Sequence, residues 1–334
     1  MVENKDLEKN QKALDAITSD SDSTELNEKN QFITDALNIH GSFFHKKCIE
    51  VIANQSIFHV IEKEFPIELN GSFTKIDIVA EVIISPNKFF IFECKKIDNE
   101  FKTWVFFPDI KHGKNDKSVY EIRNYKKPLI LDAFLYVNHD SNENKPKIEL
   151  LRYPVTPRDN TYAEIGGDIC YDACQIKMDY EKEGKINRSN LHKAINNDDI
   201  EKACNQVLLG SRGYAIQKFN RLEKDKNRWA SIFVPIVVTT AKLMVCDISS
   251  EDIDLDGGIV KDQTKIKLRI VPWVVYNYKP NFMLNADSQK IQLLKETKTY
   301  SNESESLDYV MSTYIVNAGS LKDFLEKIVW ICSN

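Results

Sequence analysis

The chain has 334 residues, of which 42% are apolar and 28% are charged, and its formal net charge is −5. This composition is typical of a globular protein with one large domain or two smaller ones, and it supplies enough apolar residues for a full core. The negative net charge argues against a basic, nucleic-acid-binding coat over the whole surface, although basic residues can still cluster locally.

Neither membrane insertion nor export is indicated. The longest apolar run, around "IFVPIVV", is far shorter than the ~20 residues that a membrane-spanning helix needs. The amino-terminal sequence "MVENKDLEKNQKALD" is acidic and polar, which is not typical of a signal peptide. Seven cysteines, an odd number, then suggest reduced thiols. We therefore expect a cytoplasmic protein without a membrane partner.

The first predicted elements are helices. Residues 1–30 are an acidic, polar amino-terminal segment, and residues 31–334 are expected to form a single domain. Within the amino-terminal segment, residues 1–22 are expected to be loosely attached. A helix is predicted from about residue 24, and a second one follows the break at Gly41. In this second helix, residues spaced i, i+4, i+7 and i+8 share an apolar face. They are Phe44, Cys48, Val51 and Ile52.

Strand signals begin at 65–69 and continue at 74–84 and 89–95, with "SPNK" as a turn between the last two. Residues 98–195 are rich in Asp, Asn and Lys, and we interpret them as an insertion with its own hairpins. A helix is predicted at 198–219, and its inner stripe is formed by Ile200, Ala203, Cys204, Val207, Leu208 and Ser211. Strands follow this helix, and the chain closes with a strand and a helix. This order predicts an α/β (α+β) domain built on a mixed sheet.

The strand "FFIFECK" ends in charged residues. Side chains alternate along a strand, so Glu93 and Lys95 share one face and Cys94 points to the other. If "SPNK" is a tight turn, paired residue numbers sum to roughly 170–173, which brings Asp77 next to Glu93 and Lys95. Carboxylates hold Mg²⁺, the carbonyl of Cys94 could add a ligand, and Lys95 could orient an attacking water. The alternative is a solvated ion pair at the end of the strand.

At these residues the chain resembles the PD-(D/E)XK nuclease superfamily, which has the restriction-endonuclease-like fold. Asp77 matches the family's acid, and Glu93-Cys94-Lys95 matches its E-x-K element, although Ile76 stands where a proline is frequent. The resemblance covers about residues 41–245 without the insertion.

This resemblance implies a mixed sheet flanked by helices, with a large insertion after the third strand. It also implies Mg²⁺-dependent hydrolysis of DNA phosphodiester bonds, with Mn²⁺ as an alternative cation, by an endonuclease with a restriction or defence role. Two alternatives stay open: a catalytically inactive nucleic-acid-binding protein on the same fold, and a protein-interaction module that uses the acidic first 30 residues. The oligomeric state is also open, with a homo-oligomer as one alternative.

The same resemblance points to two further residues. Glu50 lies on the helix before the first strand, where many proteins of this fold place an acid of the metal site. Its alternative role is an ion pair with Lys46. Gln206 lies on the long helix, where related nucleases often carry a glutamine that positions the active site or DNA. Its alternative is an ordinary exposed helix residue.

Residues 86–127 hold ten Lys or Arg and six acids, interleaved with aromatic residues. This pattern suits contact with phosphates and bases, and DNA is therefore the expected partner. The alternative is an insertion with a small core and a solvated lysine face. The candidate DNA-binding residues are Lys96, Lys111, Lys114, Lys117, Arg123, Lys126 and Lys127.

Overall fold

The structure is a computed structural model that describes a large part of the chain. The described residues are 23–69, 71–84, 88–97, 101–108, 129–137, 147–155, 167–177, 195–222, 231–278, 292–293 and 311–328. The chain divides into two compact units, residues 1–46 and residues 47–334. Helix α1 belongs to the first unit, and helix α2 begins there and ends in the second.

Four α-helices and fourteen strands are present in the described part of the chain. The helices are α1 (Ser23–His40), α2 (Ser42–Ala53), α3 (Asp198–Leu222) and α4 (Leu321–Ile328). The strands are β1 (Phe58–Leu69), β2 (Ser72–Val82), β3 (Lys88–Lys95), β4 (Thr103–Pro108), β5 (Leu129–Val137), β6 (Lys147–Val155), β7 (Ile169–Ile176), β8 (Ile195–Asn196), β9 (Ser231–Thr239), β10 (Lys242–Asp247), β11 (Lys267–Ile270), β12 (Trp273–Tyr278), β13 (Gln292–Leu293) and β14 (Met311–Asn317). None of these helices is both long and apolar enough to cross a membrane.

The second unit is a mixed α/β fold around one large sheet. Ten strands follow in the order β1-β2-β3-β9-β14-β12-β7-β4-β10-β11, while β5, β6, β8 and β13 branch from this path. Strands β1, β2 and β3 form an antiparallel meander, and β3 continues parallel to β9. The predicted mixed sheet with flanking helices is therefore confirmed.

Strand β1 is longer than the sequence pattern predicts, because it starts at Phe58 rather than at Phe65. The sequence pattern does not predict this first half of the strand, because the charged residues Glu62, Lys63 and Glu64 break the alternation of apolar and polar residues. A register shift between Val60 and Glu62 adds a bulge to the same stretch.

The segment 98–195, which the sequence predicts to be an insertion, contributes strands to the central sheet. Strand β4 pairs with β7 and with β10, and β7 pairs with β12. The β5–β6 hairpin of the same segment joins the sheet through β9.

Helix α3 packs on the sheet over β1, β2, β3 and β9. Its predicted inner stripe is confirmed. All six stripe residues are buried: Ile200, Ala203, Cys204, Val207, Leu208 and Ser211. Two glycines bring the helix close to the strands, because a Cβ on Gly213 would lie 2.1 Å from Ile67 Cγ2 and one on Gly210 would lie 2.8 Å from Ile76 Cγ1. Helix α3 is therefore seated directly beside the β1–β2–β3 meander that carries the predicted site.

Candidate metal centre

The β2–β3 hairpin places Asp77 beside Glu93. The pairs Ile78–Phe92 and Val79–Ile91 have residue numbers that sum to 170, within the range expected for a tight turn. The next pair in this register is Asp77 and Glu93. The backbone N–H of Cys94 donates a hydrogen bond of 2.7 Å to Oδ2 of Asp77. The two predicted acids are thus neighbours at the end of the hairpin away from its turn.

Glu64 is a third acid at this place, and it is not among the site residues predicted from the sequence. Strand β1 pairs Lys63 with Ile78 and Phe65 with Ile76, so Glu64 lies opposite Asp77. A carboxylate oxygen of Glu64 lies within 4.8 Å of one of Asp77. A signal for this pairing was available in "NGS" at 70–72, because an Asn-Gly turn sets the register of the β1–β2 hairpin.

The backbone at Glu64 has a φ of +51°, in the left-handed region that residues other than glycine rarely adopt. This conformation costs roughly 1–2 kcal/mol, and it interrupts the regular strand at the residue that faces Asp77. The Glu64 side chain is exposed, and its Oε2 lies 3.7 Å from the Lys75 ammonium nitrogen. Glu64 therefore joins the acidic cluster from the solvent side.

Glu93 is the buried member of the cluster, with only 6% of its surface exposed. Burial raises the pKa of its carboxyl group from 4.5 to about 9, and the charges of Asp77 and Glu64 act in the same direction. Lys95 opposes this shift. This shift favours the protonated form of Glu93 near neutral pH, although the group stands among residues that suit a cation. A divalent cation at this place would displace that proton and relieve the repulsion between the acids.

Lys95 follows Glu93 on the same side of β3 and reaches towards helix α3. Its ammonium nitrogen lies 3.4 Å from Oδ1 of Asp199, in the first turn of that helix. Oδ2 of Asp199 accepts a hydrogen bond of 3.4 Å from the side-chain amide of Gln175. The site thus has a basic group flanked by acids on β3 and on α3.

Cys94 presents its side chain away from the acids. Its thiol forms a hydrogen bond with Cys48 of α2, and that contact together with burial raises the pKa of the Cys94 thiol well above its usual value. Only the backbone of Cys94 faces the cluster, where its N–H binds Asp77. The prediction that its carbonyl could be a metal ligand stays a prediction.

Three of the other predicted site residues lie in the part of the chain that the structure describes. Glu50 is exposed and its Oε1 lies 2.7 Å from the ammonium nitrogen of Lys47, rather than of Lys46. Gln206 is half-buried on α3, and Lys96 is half-buried just after β3. The remaining candidate DNA-binding residues lie outside the part of the chain that the structure describes: Lys111, Lys114, Lys117, Arg123, Lys126 and Lys127.

Comparison with family models, with curated proteins and with solved structures finds no match to this chain. Its function is therefore inferred from the side chains and from their surroundings.

Proposed function

We propose that the protein is a nuclease that hydrolyses DNA phosphodiester bonds with the help of Mg²⁺ or Mn²⁺. The observation that carries the proposal is the place of Asp77 beside the buried carboxyl group of Glu93 at the end of the β2–β3 hairpin, with a carboxylate oxygen of Glu64 within 4.8 Å of one of Asp77. Buried acids are costly for stability unless a cation or a proton compensates them, so such a group indicates a functional site.

Asp77, Glu93 and Glu64 are the residues that would hold the cation, because hard divalent ions prefer carboxylate oxygens. The bound ion would polarise the phosphate and favour ionisation of a water molecule. Asp77 is oriented for this role by the N–H of Cys94, which fixes one carboxylate oxygen. Glu93 would give up its proton when the ion binds.

Lys95 supplies the positive charge that the scissile phosphate requires. Its ammonium group follows the two acids on β3, and in the proposal it orients the attacking water and offsets charge on the phosphate. The sequence pattern Asp77…Glu93-Cys94-Lys95, which resembles that of the PD-(D/E)XK nucleases, supports this assignment. The order α2, β1–β3, α3, β9 supports the further proposal of a restriction-endonuclease-like core.

Cleavage assays test this function. Purified protein is incubated with supercoiled plasmid, linear duplex and single-stranded DNA in the presence of Mg²⁺, Mn²⁺ or EDTA. We expect cleavage with either cation and none with EDTA, and nicking of the closed plasmid identifies an endonuclease. A restriction or defence role would then be examined by comparing methylated with unmethylated plasmid.

Variants connect the activity to the cluster. Asp77→Ala, Glu93→Ala and Lys95→Ala should each remove most of the cleavage, and a double variant should be little worse than a single one, because groups that act as a unit are not additive. Glu81→Gln is the matched control, since Glu81 lies on the same strand as Asp77 but near the turn. Full activity in all three alanine variants would refute the assignment. DNA binding without cleavage in the parent would instead favour an inactive nucleic-acid-binding protein.

A further inference from the structure

The contact between Lys95 and Asp199 is more protected than an ordinary surface ion pair. The side chains are 29% and 15% exposed, and their charged atoms lie 3.4 Å apart. Exposed ion pairs contribute little because water and salt screen them, whereas a partly buried pair holds its partners in place more effectively. Asp199 is thus able to determine where the ammonium group of Lys95 lies.

The carboxylate of Asp199 is in turn held in place by Gln175, which lies on strand β7 of the sheet. Gln175 is 1% exposed, and its Nε2 donates to Oδ2 of Asp199. Its Oε1 is buried without a hydrogen-bond partner among the described residues. Directly opposite on β4 stands Trp104, whose side chain is fully buried. Leucine here would leave no unsatisfied oxygen, so burial alone does not account for the glutamine, whereas the hydrogen bond that its amide donates to Asp199 does.

We propose that Asp199, held by Gln175, is a positioning residue that keeps the ammonium group of Lys95 off the metal-binding carboxylates. This inference rests on the proposed function of the site. Lysine has a flexible four-carbon side chain. Glu93 and Lys95 are separated by one residue and lie on the same face of β3, so the ammonium group is able to reach the carboxyl group. Without Asp199 the ammonium group would turn towards Glu93 and Asp77 and compete with the cation. With Asp199 the cation and Lys95 occupy separate places and both can act on one phosphate.

Kinetics give the first test. Asp199→Asn should lower kcat about 10- to 100-fold, as is typical when a group that orients a metal-site residue is lost, with little change in KM for DNA. Asp199→Glu should recover part of this loss because it keeps the charge. Asp198→Asn is the matched control, since Asp198 is an exposed acid in the same first helical turn. In a Lys95→Ala background, Asp199→Asn should cause no further loss.

Metal affinity gives a second test that needs no cleavage. Mn²⁺ binding is measured by calorimetry in the parent, Asp199→Asn, Lys95→Ala and the double variant. We expect Asp199→Asn to weaken binding several-fold, and Lys95→Ala to abolish this effect because the competing ammonium group is gone. Gln175→Leu should weaken Mn²⁺ binding in the same direction while the melting temperature stays equal to that of the parent or rises.

The outcomes separate the inference from the proposed function. A parent protein that binds Mn²⁺ but cuts no DNA refutes the nuclease, while the affinities still decide whether Asp199 positions Lys95. Equal Mn²⁺ affinity in the parent and in Asp199→Asn overturns the positioning role, as does a parent that binds no Mn²⁺. The role is also overturned if Asp199→Asn lowers cleavage to the same extent with and without Lys95, since Asp199 would then act on the fold rather than on the lysine.

Discussion

The backbone N–H of Cys94 donates a hydrogen bond of 2.7 Å to the carboxylate of Asp77, which joins the ends of β2 and β3. The two neighbouring acids consequently have different surroundings. Asp77 is half-buried and accepts a backbone donor, whereas Glu93 is enclosed and has a pKa raised to about 9 by burial. An enclosed acid such as Glu93 is expected where a carboxyl group exchanges its proton for a cation.

Divalent cations should stabilise the folded protein. A cation between Glu64, Asp77 and Glu93 relieves their repulsion, and a ligand at about 100 times its Kd adds about 2.7 kcal/mol to the free energy of unfolding. Thermal unfolding with and without Mn²⁺ measures the effect. Glu93→Ala should lose most of the increase in Tm, and Glu81→Gln should keep it. An equal increase in Glu93→Ala would indicate binding to the acidic surface in general.

Stability without metal should depend on pH through Glu93. Because the pKa of this group is higher in the folded chain than in the unfolded chain, its contribution is fully present below about pH 4.5 and is lost as the pH rises to about 9. Within this window the free energy of unfolding should fall by up to about 1.4 kcal/mol per pH unit relative to Glu93→Gln.

Urea denaturation of both proteins in EDTA at pH 5.5, 7 and 8.5 measures this difference. The free energy of unfolding of the parent, relative to that of Glu93→Gln, should fall steadily from pH 5.5 to pH 8.5. A difference that is the same at the three pH values would show that Glu93 titrates at its ordinary pKa and is not enclosed as described.

The strained backbone at Glu64 should lower the stability of the metal-free protein, while its carboxylate should strengthen metal binding. Glycine adopts a positive φ without strain, so Glu64→Gly should raise the metal-free free energy of unfolding by about 1 kcal/mol. The same variant should reduce the stabilisation by Mn²⁺, because a ligand is lost. Glu64→Gln separates the two effects, since it removes the charge but keeps the strained backbone. Destabilisation by glycine in EDTA would contradict the left-handed conformation.

DNA affinity should come from the lysine-rich segment 95–127 and not from overall charge, which is −5. Each phosphate contact made by a basic residue contributes about 0.9 to the slope of log affinity against log salt on duplex DNA. We expect pairwise changes to glutamine to weaken binding to all sequences alike and to flatten this slope. The pairs are Lys111 with Lys114, Lys117 with Arg123, and Lys126 with Lys127.

Fluorescence titrations of labelled duplex at several salt concentrations measure the slope for each pair. Mn²⁺ binding at Asp77 and Glu93 should be unchanged in these variants, which serves as the control for folding. An unchanged salt slope in all three pairs would mean that the segment is a solvated face and that DNA is bound elsewhere.

The sequence by itself determined the local parts of this protein. Alternation and the "SPNK" turn were sufficient to place Asp77 next to Glu93, because the register of a tight hairpin follows from the length of its turn. The 3.6-residue period likewise identified α3 and its buried stripe. These features depend on residues that are close in the chain, so local pattern specifies them.

Only the tertiary structure decided the contacts between distant segments. Strands β4 and β7 join the central sheet through β10 and β12, and no local pattern states which distant strand a strand will pair with. The ion pair of Lys95 with Asp199 arises in the same way, because it requires α3 to be seated against the meander through Gly210 and Gly213. The burial that raises the pKa of Glu93 is a property of this assembled core, since an acid at the end of an isolated hairpin would remain in water.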